Sequence, residues 1–387
     1  LHHWAGNKDA ELQQAASQNL VKTFSRVIAT LNGGQSYTPV DLRKNEVGVG
    51  FPAAYQALCK TYGVTPASKD LAAIEKAGFS AAFNHALGNL LTAAAEAARL
   101  VKKAFAALDI KERSYLLSRP ERYFFPTDNQ FNFLTAPTHV PVNVLPMVRK
   151  IDFVSLYTAA LTLGAGVDAF IDFFRTATTT GYPALIFANG RRRNGTVLTL
   201  PSPIGDIVIM GQDAGSGSGD AAIWIDLGGN DRYTGRTASG SSASGGMSLL
   251  IDIEGDDVYN SGHGRYAQGF GGLSIGMLID MAGDDKYQAG NMAQGCGIYG
   301  VGLLMDLKGR DFYQMGLMGQ GFGLFGIGLL LDADGDDRYF VTGMGQGAGS
   351  SLGFGGLLDL KGNDKYLADR KKVRGKLVPD EWSHVQG

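Results

Sequence analysis

The sequence is poor in cysteine. Cys59 and Cys296 are the two in 387 residues, which excludes a disulfide-dense scaffold and a cysteine-built zinc or iron–sulfur centre. It also lacks a charge excess. Thirty-five Lys and Arg against 37 Asp and Glu leave a formal charge of -2, without the basic surplus of a general nucleic-acid binder. No H-E-x-x-H and no P-loop pattern occurs, so the common zinc-hydrolase and nucleotide signatures are missing. The chain begins at Leu1 with no basic stretch leading into an apolar run, which predicts a processed product with any signal peptide removed. Long uncharged runs are scarce. Phe312 to Leu331 has the length of a membrane span but carries six glycines and two glutamines, and it reads as a repeat unit rather than a span. Phe153 to Val167, 15 residues, fits a buried helix.

What the sequence has in abundance is glycine, 55 residues, about twice the usual share. Thirteen lie in residues 1–203, 40 in residues 204–368 and two in the tail. The chain therefore divides into a helical N-terminal domain (1–203), a glycine-rich repeat domain (204–368) and a basic C-terminal tail or cap (369–387). Apolar spacing predicts helices over 8–31, 52–62, 69–76, 80–108 and 152–177. Residues 119–148, with five prolines and many aromatics, read as an irregular connection. Arg191-Arg192-Arg193 reads as a solvated loop, with a basic patch for an anionic partner as the alternative.

The repeat domain spells D-x-x-G-x-D-x-Y six times. The first aspartates are Asp226, Asp252, Asp280, Asp306, Asp332 and Asp359, and the second are Asp231, Asp257, Asp285, Asp311, Asp337 and Asp364. Each copy has its glycine (Gly229 to Gly362) and its tyrosine (Tyr233 to Tyr366), and an apolar strand precedes each first aspartate. Gly205-Asp206 reads as a degenerate half-copy. A period near 26 with short strands and turn glycines predicts a solenoid. The fold class is thus α+β and multidomain: a helical N-terminal domain followed by a parallel β-helix of about six coils, which the helices are expected to cap at its open start.

Stacking at about 4.8 Å turns each repeated residue into a column. The tyrosines should form an aromatic ladder. Gln268, Gln294, Gln320 and Gln346 should form an amide ladder. Two aspartate columns repel, by on the order of a few kcal/mol per neighbour at an effective dielectric near 20, unless something compensates. Bound cations, turn N–H groups or raised pKa values all serve. Hard carboxylates suit calcium, and the copy Asp332-Ala333-Asp334-Gly335-Asp336-Asp337 is richest in oxygen, so Asp334 joins the metal candidates. The other reading is an Asx-turn repeated six times.

The segment G-x-D-x-Y, as Gly255-Asp256-Asp257-Val258-Tyr259 or Gly362-Asn363-Asp364-Lys365-Tyr366, resembles the second part of the hemolysin-type RTX repeat, G-G-x-G-x-D-x-U-x. The resemblance covers about six residues per coil and implies a β-roll with calcium between turns, the second aspartates being the matching ligands. The family's first two glycines are replaced here, and the coil is longer.

The expected role is a structural or recognition protein, secreted or periplasmic, with an envelope or extracellular protein or a polysaccharide as partner, no nucleic acid and no transmembrane span. The rival is a polysaccharide lyase or hydrolase. Its catalytic candidates are His263 and Arg265, in a two-residue insertion of the second coil, where a base and an anion-stabilising cation stand together. Regular coils argue against a lyase groove.

Overall fold

The computed structural model describes residues 10–41, 50–118, 120, 144–175, 182–218, 221–240, 246–368, 372–373 and 376–377. Its helices are α1 (Ala10–Ala16), α2 (Leu20–Leu31), α3 (Phe51–Thr61), α4 (Ser68–Ala77), α5 (Ala81–Ala104), α6 (Ile110–Ser118), α7 (Val144–Val148), α8 (Phe153–Arg175) and α9 (Tyr182–Ile186). The periodic run over 8–31 breaks in two. Asn19 caps α2 by accepting the Lys22 N–H, and the Asp168 carboxylate takes the Leu20 and Val21 N–H groups at 2.8 and 3.0 Å. A side chain from α8 thus supplies the acceptors that the helix start lacks. Ser80 caps α5 by accepting the Phe83 N–H. Gly78 ends α4 in the left-handed region at φ 64°, where glycine is unstrained. The largely buried α8 is the apolar run that reads as a core helix. It is also the one described helix long and apolar enough to cross a membrane. Of the irregular connection 119–148, all but residue 120 and α7 falls outside the described residues.

The repeat half is a parallel β-solenoid with three strands per turn. The first sheet holds the apolar strands, such as Ile275–Asp280 and Val301–Asp306. The second holds the tyrosine strands, such as Val258–Asn260 and Lys286–Gln288. The third holds short glycine strands, such as Phe270–Gly272 and Gly297–Ile298. Equivalent residues pair without slippage: Asp280 lies beside Asp252 on one side and Asp306 on the other. Among the described residues the six sequence copies yield five complete three-strand turns, the last copy contributing Phe354–Asp359 and Lys365–Ala368. A partial turn also precedes the first copy, since Ile207–Met210 pairs in parallel with Ile223–Asp226. Its register aligns Ile209 with Ile225, so Asp206 stands outside the aspartate columns.

The helices do not close the first coil as the capping argument expects. They lie along the flank. Alternation in the first-sheet strands sends Leu278 and Asp280 to the face of the tyrosines, and Ile275, Met277 and Ile279 to the other. The latter belong to one continuous core with α2, α5 and α8, while Leu278 belongs to a separate cluster around the tyrosine column. Both faces of these strands are buried, which is why they read as continuous apolar runs. At the start, Thr196–Leu200 pairs antiparallel with Ile207–Met210 and covers that sheet edge. Of the tail, the described residues form one antiparallel pair, 372–373 with 376–377; the capping expectation for the rest lies outside the described residues.

Candidate functional site

Each turn folds its two aspartates into the solenoid interior. The first ends a first-sheet strand two residues after an inward leucine, or after Trp224 in the first copy. The second precedes the inward tyrosine by two. Period two therefore aims both carboxylates inward. From Asp226 to Asp337 they are buried; Asp359 is at the margin and Asp364 is half-buried in the last turn.

The second-column aspartates reach across turns. Asp257 Oδ1 accepts the Asp231 N–H at 2.5 Å, Asp285 that of Asp257 at 2.6 Å, Asp311 that of Asp285 at 2.6 Å and Asp337 that of Asp311 at 2.7 Å. Asp364 continues the ladder to Asp337, and Asp231 begins it by accepting from Gly215. The first-column aspartates are held by tyrosine. Tyr259, Tyr287 and Tyr313 each donate at 2.7 Å to Oδ2 of the next turn's aspartate, Asp280, Asp306 and Asp332 respectively. Tyr233 and Tyr339 bridge two successive turns. Oδ1 of Asp280 and of Asp306 also accepts the N–H two residues on, so the Asx-turn reading of the sequence is present in part. The rings stack at 4.7 to 4.8 Å and within 6° of parallel from Tyr233 to Tyr366, as the aromatic ladder predicts.

These bonds leave one oxygen of each buried second-column aspartate bare. Oδ2 of Asp231, Asp257, Asp285, Asp311 and Asp337, and Oδ1 of Asp252, Asp332 and Asp359, are buried without a hydrogen-bond partner. Carboxylate oxygens gather in threes within 4.8 Å of one another: Asp226, Asp231 and Asp252; Asp257, Asp280 and Asp285; Asp285, Asp306 and Asp311; Asp311, Asp332 and Asp337; and Asp337, Asp359 and Asp364. All twelve column aspartates take part. Burial, and after it neighbouring carboxylates, push Asp285 up to about 10 and Asp257 to about 8. Burial likewise raises Asp311 to about 8 and Asp226 to about 7. Such a site has two chemical outlets. One carboxyl of each turn keeps a proton, or a cation takes its place.

Asp334 does not join the clusters. It stands at the exposed turn and pairs with Lys361 at 3.6 Å, so the oxygen-rich fifth copy has no more interior oxygens than the others. His263 and Arg265 are exposed in the insertion between Tyr259 and Gln268, whereas Asp257 is enclosed. The glutamines do not ladder with one another. Gln268 donates to the carbonyls of Tyr259 and Gln288, both at 2.9 Å, and Gln294 to those of Tyr287 and Gln314. They tie the glycine stretch to two second-sheet strands at once.

Four patterns that the sequence reading passes over are settled by the glycine-rich third sheet. Gly295 to Gly300 and Gly321 to Gly326 spell G-x-G-x-x-G, and Gly272 to Gly276 and Gly349 to Gly353 spell G-x-S-x-G. Each joins a short third-sheet strand to the next first-sheet strand, with no helix after it, so neither the phosphate cradle nor the nucleophile elbow is built. These glycines serve close approach instead. A Cβ on Gly297 would overlap the Ile327 carbonyl, and one on Gly323 that of Phe354. Cys296 is a buried core thiol.

No protein-family model, curated protein or solved structure matches the chain.

Proposed function

We propose that this chain is a structural and recognition solenoid of a secreted or periplasmic setting, and that divalent cations, calcium before others, seat between its aspartate columns. The observation that carries the reading is the row of bare, buried carboxylate oxygens on the same aspartates that gather in three-oxygen clusters. A buried carboxylate with no partner is costly, and hard cations satisfy it. The charges also match. Two carboxylates per turn carry two negative charges, and one divalent cation per turn cancels them. Calcium oxygens lie about 2.3–2.6 Å from the ion, so ligands up to about 5 Å apart share one calcium, whereas magnesium demands a tighter octahedron. The clusters span 4.8 Å. The second-column aspartates are the positions where the chain resembles hemolysin-type repeats, which adds to the reading.

Thermal unfolding with calcium, with magnesium and with chelator tests it. Calcium should raise stability by about 2.7 kcal/mol per site at 100-fold over its dissociation constant, and magnesium should raise it less. Identical melting in calcium and chelator removes the cation.

A further inference from the structure

Opposite the helical flank, the outer face of the second sheet carries two regular columns. The residue before each tyrosine forms one: Arg232, Val258, Lys286, Phe312, Arg338 and Lys365, in register from turn to turn. The residue after each tyrosine forms the other: Thr234, Asn260, Gln288, Gln314, Phe340 and Leu367. These side chains are exposed or half-buried. The first column has four cations and no carboxylate, and the second has no charge. Among the described residues no carboxylate pairs with Arg232, Lys286, Arg338 or Lys365. The amides are already ordered, with Asn260 donating to Gln288 at 3.4 Å and Gln288 to Gln314 at 3.1 Å. Lys286 lies over the Phe312 ring at 6.0 Å.

We propose that this face binds an extended acidic polysaccharide running along the solenoid axis, with a uronate on alternate rings. The spacing selects it. A pyranose ring in an extended chain spans about one inter-strand step, here the 4.7 to 4.8 Å of the tyrosine stack. Cations fall on the rungs of Arg232, Lys286 and Arg338, two steps apart, with Val258 and Phe312 between them, and Lys365 adds a fourth on the terminal rung beside Arg338. Uronates meet the cations, and the intervening neutral ring stacks on Phe312. The amide column supplies hydrogen bonds to hydroxyls. The adjacent turn column carries Asp256, Asp284 and Asp336, with Arg310 bonded to Asp284. A chain with a phosphate at every step would also set anions on the uncharged rungs of Val258 and Phe312, which disfavours nucleic acid. The proposal deepens the recognition role given above and needs the ordered solenoid, but not the cation itself.

Calorimetric titration of the full chain with a hyaluronan decasaccharide, uronate on alternate rings, tests it in calcium and again in chelator. Binding should weaken with salt and exceed that of a neutral dextran oligomer. Lys286→Gln with Arg338→Gln should weaken it about tenfold or more, the loss of about 1.4 kcal/mol, and Phe312→Ala should weaken it with an unchanged melting curve. No binding by the wild type, equal binding of a single-stranded oligonucleotide, or affinity unmoved by these substitutions overturns it. Saccharide binding without a calcium effect on melting sinks the cation reading alone; a calcium effect without saccharide binding sinks this one alone.

Discussion

The hydroxyl of Tyr287 donates at 2.7 Å to Oδ2 of Asp306, one turn further along the solenoid. The bond crosses the turn boundary, so the aromatic stack and the carboxylate column hold one another in register. The ring of Tyr287 is sandwiched by Tyr259 and Tyr313 at 4.8 Å. Replacing it with Phe keeps the stack and removes only the donor. Tyr287→Phe should therefore cost about 1–3 kcal/mol, the penalty of a bare buried acceptor, measured by denaturant unfolding. A cost near zero would mean that the hydroxyls do not hold the column.

Turn glycines set a harder limit. Gly309 has φ +154°, and a Cβ there would overlap the carbonyl oxygen of Gly283. Neither backbone has a side-chain end to move. Gly309→Ala should cost more than about 3 kcal/mol, strain and overpacking together, while Gly262→Ala, in the open insertion with nothing within 4 Å, should cost about 1 kcal/mol from its φ of +59° alone. Comparable melting of the two variants would show that the solenoid relaxes along its axis.

The repeat made the solenoid legible, because period, turn glycines and apolar strands all point one way. The interior placement of the aspartates was legible too, in the two-residue step from Asp285 to Tyr287 and from Leu278 to Asp280, although Asp334 carries no such signal. The bound of five turns was not, since the copy at 359–366 has the full motif and lacks only what should follow it. Nor was the helical flank. Ile275, Met277 and Ile279 look the same whether a helix or another sheet covers them. The split at Asn19 depends on Asp168, 149 residues away.

That flank gives a third expectation. Residues 204–387 alone would expose the column of Ile275, Val301 and Ile327 and their neighbours Met277, Leu303 and Leu329, buried against the helices in the whole chain. The fragment should aggregate through this apolar face. Charged substitutions at Met277 and Leu303 should restore its solubility. A soluble fragment without them would mean that the flank is not a core.

Without divalent cations the carboxylates should make the fold sensitive to alkali. In the folded chain burial and like charges hold Asp257 and Asp311 near 8 and Asp285 near 10, above the unfolded value of about 3.9. Groups raised in this way contribute stability that is full below about pH 4 and is lost as pH rises through the folded values. The melting temperature in chelator should fall between pH 6 and 10, where these groups titrate. Calcium, by pairing the ionised form, should flatten that fall. A flat profile in chelator would show that the columns ionise freely in the interior.

Asn and Ala at Asp285 separate the proton from the cation. Asp285 Oδ1 accepts the Asp257 N–H at 2.6 Å, its Oδ2 is bare, and the residue belongs to the cluster with Asp257 and Asp280. Asn keeps the acceptor and puts an amide donor where the shared proton would sit. In chelator at neutral pH, Asp285→Asn should match the wild type in melting temperature, because Asp285, pushed up to about 10, is already neutral there, and the amide takes the place of its proton with no bond lost. Asp285→Ala removes the acceptor and leaves the Asp257 N–H unpaired, for a cost of about 1–3 kcal/mol. In calcium the order changes. Asn is a weaker ligand than carboxylate and cancels no charge, so Asp285→Asn should lose the calcium increment of the two clusters that share this residue, Asp257–Asp280–Asp285 and Asp285–Asp306–Asp311. Asp334→Ala, at the exposed turn, should keep the whole increment. If Asp285→Asn keeps the full calcium response, the ion does not sit between the columns, and the carboxylates serve as proton-sharing struts of the stack.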